Sequence, residues 1–265
     1  MIIGISVGFV SGLLGVGGGS IIVPILFLLM NGDGVDSAFA LKVSLGTSLA
    51  IIFPTAIFSS YNHYRNSKFD IKLGMILGCF GLIGGLFGGL TAVNTDSEIL
   101  RSILGTVFII IALNMFFKSG KTSNEKIINE NLNLNLKELI YLSILGLGVG
   151  FLSGLFSLGG GIFIVPILTI IFGFSMIEAI RTSTIFISIT AIGGLIPYLL
   201  SNLGMNNVPF LIGYVNILYL LIIITFSIPL TYFGAKLAYK INENLLKRIL
   251  SLFLIFLALK LIGII

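Results

Sequence analysis

Of the 265 residues, 57% are hydrophobic and only 9% are charged, whereas a soluble domain needs roughly a quarter of its residues charged to cover its surface. A water-soluble globular domain is thereby excluded, and lipid must be the solvent for much of the surface. The net charge of +5 comes from Lys and Arg scattered in short loops, an orientation signal of a membrane protein and not a nucleic-acid footprint.

Long apolar runs without alternation exclude a transmembrane β-barrel, so the fold class is an all-α polytopic membrane protein. The length has room for about eight to ten helical segments. In chain order, Met1 leads without a basic flank straight into the first motif, so no cleavable signal peptide is expected. The segment Gly8 to Leu26 reads GFVSGLLGVGGGSIIVPIL. Apolar runs follow at 40–62, 73–94 and 99–117. The polar stretch from Lys118 to Lys137 reads as a linker outside lipid. Gly150 to Leu168 then reads GFLSGLFSLGGGIFIVPIL, and runs at 179–201, 208–235 and 245–265 complete the chain.

About two thirds of the 19 positions in the two glycine motifs are identical, far beyond shared hydrophobicity. Thr47-Ser48 and Thr55-Ala56-Ile57 recur at the same spacing as Thr182-Ser183 and Thr190-Ala191-Ile192, and Leu100-Arg101 falls opposite Leu246-Lys247. Such duplication divides the chain into membrane repeats at 1–117 and 138–265 around the linker 118–137. The basic residues set the parity. Arg65, Lys68 and Lys72 place one loop in the cytoplasm; so do Lys118, Lys121, Lys126 and Lys137 for the linker. The loop from Ser201 to Val208 is uncharged, while Lys236 to Arg248 is basic. These agree only if each glycine motif is the bend of a hairpin of short helices. Each unit then nets an odd number of crossings, about three spanning helices beside the hairpin, and the two units are inverted. Both termini come out external.

Three consecutive glycines break a helix. Broken backbone inside a bilayer persists only against protein or a water-lined cavity. Gly17, Gly18 and Gly19 precede Ser20, and Gly159, Gly160 and Gly161 precede a similar apolar stretch, so a short helix is expected to begin at each run. Free N–H groups and the positive dipole end at such a start suit an anion, and inverted copies would bring two starts together near the midplane. The plainer alternative is close helix packing, which is the better account of Gly8, Gly12 and Gly15. Thr47, Ser48, Thr182 and Ser183 could hydrogen-bond a solute, cap a helix or join neighbouring helices. Arg181 could meet an anion or snorkel to the interface, as could Lys42. His63, the only histidine, reads as an interfacial polar group.

All ten acidic residues fall in or beside loops. Cation and proton carriers usually keep a carboxylate within the bilayer, so the expected solute is a small anion. There is no Ser–His–Asp set, metal-ligand cluster or phosphate loop, and one cysteine makes no disulfide; neither catalysis nor a cofactor or metal is expected.

The doubled G-F-x-S-G-L-x-x-x-G-G-G with its following V-P-I-L resembles the TauE/SafE sulfite exporter family. The Thr-Ser pairs and the turn His63-Tyr64-Arg65-Asn66-Ser67-Lys68-Phe69-Asp70 are similar too. The resemblance covers essentially the whole chain. It implies an integral plasma-membrane transporter, an exporter of sulfite, sulfoacetate or other organosulfonates. Ser157 stands where the first motif has Gly15, so the halves are not equivalent. The alternative on the same scaffold is an anion channel, which currents above carrier turnover would reveal. An intramembrane enzyme would have to rest on Cys79 or His63. The partners expected are a small anionic solute and the bilayer; the oligomeric state is open, a homodimer among the options.

Overall fold

The computed structural model describes residues 2–66, 71–96, 98–99, 136–201, 209–242, 245, 248–249 and 252. Eight helices lie among them: α1 (Ile2–Leu14), α2 (Gly19–Gly32), α3 (Ser37–Asn66), α4 (Lys72–Asn94), α5 (Leu136–Phe156), α6 (Gly161–Ile170), α7 (Met176–Leu200) and α8 (Ile217–Ala238). A two-residue ladder, β1 (Leu211–Ile212) against β2 (Val215–Asn216), precedes α8. The runs at 99–117 and 245–265, most of the linker, and most of the loop 201–208 lie outside the described residues. Since α5 starts at Leu136, the last two residues of the polar stretch are helical.

Among the described residues, five helices are long and apolar enough to cross a membrane: α3, α4, α5, α7 and α8. The chain is thus a multi-pass, all-α membrane protein. The first helices of the two hairpins are unequal, which corrects the expectation of short helices in both units. α1 has 13 residues, whereas α5 has 21 because its apolar pattern extends back from the motif to Leu139. Apolar side chains such as Phe87 on α4, Ile144 on α5 and Phe233 on α8 are exposed, as a lipid-facing surface requires.

Helix ends are fixed locally. Asp36 accepts from the backbone of Ala38 and Phe39 at the start of α3, while Ser175 and Glu178 form a capping box on α7. Lys42 donates to the carbonyl of Val93 at the end of α4 (2.6 Å), so its ammonium is spent on a helix terminus and not on lipid.

The helices pack by glycine. A methyl group on Gly4, Gly8 or Gly12 of α1 would collide with backbone at Ile223, Ser227 or Thr231 of α8. On the other side, Gly146, Gly150 and Gly154 of α5 lie against Leu77, Gly81 and Gly85 of α4. Lipid offers no hydrophobic drive between helices, so close backbone approach must supply the attraction. In both seams the residue numbers rise together, so α1 runs with α8 and α5 with α4. Gly78 of α4 against Ile189, and Gly85 against Gly194, put α7 in the same sense as α4. Thr55 with Ser227 and Asn62 with Thr231 put α3 in the sense of α8. Between α3 and α7 the numbers run oppositely: Gly46 lies by Tyr198, and Leu49 lies by Gly194.

Candidate functional site

The chain leaves helical geometry where the glycines predict. Gly15, Gly17 and Gly18 have positive φ (62°, 86° and 77°), as do Ser157, Gly159 and Gly160 (55°, 77° and 77°). Ser157 holds a left-handed conformation that Gly15 adopts without penalty, a strain of about 1 kcal/mol or more for a residue with a Cβ. Past each break a helix restarts: Gly18 caps α2 and Gly160 caps α6, neither with a side-chain cap. The first helical bonds are made to Gly18 O by Ile21 and Ile22, and to Gly160 O by Phe163 and Ile164. The N–H groups ahead of them stand outside the helical ladder, where the dipole is positive.

The two breaks meet. A Cβ on Gly17 or on Gly159 would touch the same two side chains, Ile52 of α3 and Ile187 of α7. These isoleucines are counterparts in the register set by the Thr-Ser pairs. Gly19 packs on the Ser157 carbonyl and Leu158, while Gly161 packs on the Gly15 carbonyl and Val16.

Two serines stitch the crossing. Ser48 donates to the carbonyl of Ser157 (3.0 Å), and Ser183 donates to that of Gly15 (2.8 Å), sharing its proton with the Ile180 carbonyl of its own helix (2.7 Å). Each therefore satisfies backbone freed by the other unit's break, which is the condition for broken backbone to persist in lipid. Of the predicted residues, Gly17, Gly18, Gly19, Ser20, Ser48, Gly159, Gly160, Gly161 and Ser183 are gathered at this crossing. The Thr47 hydroxyl accepts from Asn216 N (2.9 Å) and anchors the ladder before α8. Thr182 is buried on α7, with its carbonyl toward Gly74. Arg181 donates from Nε to the Tyr239 hydroxyl (2.9 Å) and lies over that ring.

His63 corrects the interfacial expectation. It is fully buried, and its Nε2 donates to the carbonyl of Gly12 (2.8 Å). The Tyr239 hydroxyl donates to the His63 carbonyl (3.1 Å), so Arg181, Tyr239, His63 and Gly12 form one network. At the counterpart position Tyr198 does the same work, its hydroxyl donating to the carbonyl of Gly154 (3.4 Å). The repeat register pairs His63 with Tyr198 and Gly12 with Gly154, a correspondence hidden by the change of residue type.

Among the described residues there is no group of acidic, His or Cys side chains fit to hold a metal. Cys79 is exposed on α4, away from the crossing.

Known proteins give the arrangement its context. The family model described as "Sulfite exporter TauE/SafE" matches residues 1–261. A probable membrane transporter protein of Methanocaldococcus jannaschii is 33% identical over 246 residues, covering 92% of this chain and 86% of that protein. A probable membrane transporter protein of Haemophilus influenzae is 30% identical over 261 residues, covering 97% and 95%. Another from Bacillus subtilis is 27% identical over 256 residues, covering 92% and 88%. No solved structure matches significantly. With a family match across nearly its whole length and transporter relatives covered almost end to end, the chain belongs to the sulfite exporter TauE/SafE family of membrane transporters.

Proposed function

We propose that this transporter carries small sulfur-containing anions, sulfite and organosulfonates such as sulfoacetate, outward across the plasma membrane, and that the solute is held where the two glycine breaks cross. The observation that carries the reading is the meeting of two helix starts, α2 and α6, around the shared pair Ile52 and Ile187. Two positive helix ends in a site of low dielectric favour an anion. Acidic residues within the described spans would oppose one, and Asp33, Asp36, Asp96 and Glu178 all lie at helix ends or turns.

The two units are inverted in this account. The support is that α3 and its counterpart α7 run in opposite senses, as do α1 and α5, and α4 and α8. Opposed units that exchange roles give alternating access about a fixed central site. Ser48 and Ser183 act by holding the broken backbone in place, and Arg181 by drawing anions toward the end of α3. The test is flux into vesicles reconstituted with purified protein and offered sulfite, sulfoacetate, taurine and sulfate in turn. Saturable movement of sulfite or a sulfonate is expected; movement of none of them by folded protein would refute the reading.

A further inference from the structure

Hydroxyls within helices usually back-bond to a carbonyl three or four residues earlier, and most in this chain do so: Ser44, Thr55, Thr169, Thr184, Ser188 and Thr225 among them. Among the described residues, four buried ones have no hydrogen-bond partner: Ser11, Ser20, Ser153 and Thr190. A buried unpaired hydroxyl is costly, so each calls for an explanation.

One of the four, Ser153, lies at the start of α6, and a second, Thr190, lies beside the Phe186 ring that borders it. Ser153 of α5 is fully buried and lies against Gly160, its Oγ 3.4 Å from where a Cβ on that glycine would stand. The ring of Phe186 borders the same point and also borders Gly81 of α4, where it is joined by the Thr190 hydroxyl. Thr190 is likewise fully buried. Its counterpart, Thr55, back-bonds to the Ile51 carbonyl and also meets Ser227 at 3.1 Å; Gly81 takes the place of Ser227 in the other seam, and Thr190 makes neither contact. The Phe186 ring links it to the start of α6, whose Gly161 and Ile162 N–H groups precede the first helical bonds.

We propose that Ser153 and Thr190, with the N-terminus of α6, form an oxyanion subsite in the second unit. It takes a compact anion with at least two acceptor oxygens, one facing the backbone N–H groups of α6 and the other the two hydroxyls. The inference rests on the anion-transport reading and gives a role to Ser153, inside the glycine motif, and to Thr190, beyond the Thr-Ser pair.

Sulfite uptake into vesicles tests it, using wild type, Ser153→Ala, the isosteric Thr190→Val, their double variant, and Thr225→Val as a lipid-facing control. Each loss of a hydroxyl donating to a charged oxygen raises KM about tenfold or more, and the double variant raises it further. The melting temperature in detergent without sulfite should hold or rise, since an unpaired buried hydroxyl is removed. Thr190→Ser should recover most of what Thr190→Val loses, and Thr225→Val should match wild type. Added sulfite should raise the melting temperature of wild type and not that of the double variant. An unchanged KM in the double variant, or a melting temperature that falls in step with uptake, overturns the subsite while leaving the transporter reading intact. Failure of the wild type to move sulfite or any sulfonate strikes at the transporter reading itself.

Discussion

Ser48 and Ser183 show how much of the crossing depends on single atoms. Each hydroxyl serves a carbonyl of the opposite unit, at Ser157 and Gly15. Removing one leaves a buried acceptor short of its donor, at a cost of about 1 kcal/mol. Ser48→Ala or Ser183→Ala should therefore lower the melting temperature in detergent by a few degrees and slow sulfite uptake, with the double variant worse in both. Unchanged melting in the double variant would mean the stitches carry no weight. Both Thr-Ser pairs are visible in the sequence as repeated hydroxyls, but the role of the serines is not, because their partners across the crossing, Ser157 and Gly15, lie more than a hundred residues away. His63 was misplaced for the same reason: its partners Gly12 and Tyr239 are set by three different helices, and position along one run says nothing about them. Ser11 and Ser153 stood in plain view inside the repeated S-G-L, yet the absence of a partner is a property of geometry alone.

At the scale of elements, glycine has two separate duties that the sequence pools. At Gly17, Gly18, Gly159 and Gly160 it supplies positive φ; along α1, α4 and α5 it supplies close approach. The distinction predicts unequal mutations on a single helix. Gly150 of α5 abuts the backbone of Gly81, whereas Gly148 has open space around it. Gly150→Ala should cost about 1–3 kcal/mol through overpacking and reduce the yield of folded protein. Gly148→Ala should be neutral or slightly stabilising, through helix propensity. Equal melting temperatures for the two variants would contradict the seam. The hairpin helices were legible from the glycine triplets and the apolar runs beyond them. The length of α5 was not, because its first two residues, Leu136 and Lys137, read as polar linker and the glycine motif drew the boundary near Gly150.

For the whole molecule, the duplication was readable from the repeated motif, while the sense of the two units rested on a handful of basic residues. The opposed directions of α3 and α7 give that reading a geometric basis. It leads to a labelling prediction on a Cys79→Ser background, since Cys79 is the only cysteine. Asp33→Cys sits in the turn before α3 and Ile171→Cys in the turn before α7, both at exposed positions. If the units are inverted, a membrane-impermeant maleimide added to intact cells should label one of these and spare the other. Labelling of both alike would favour a parallel arrangement.

The central claim, that the crossed glycine breaks hold the transported anion, is most directly tested by sulfite flux in vesicles carrying Gly18→Leu or Gly160→Leu. Both glycines have φ of 77°, and their added side chains would meet Val7 and Phe186 respectively, so the helix starts would be displaced from the crossing. The prediction is that both variants insert in the membrane at near wild-type levels and lose flux by at least tenfold. Wild-type flux from both would contradict the account.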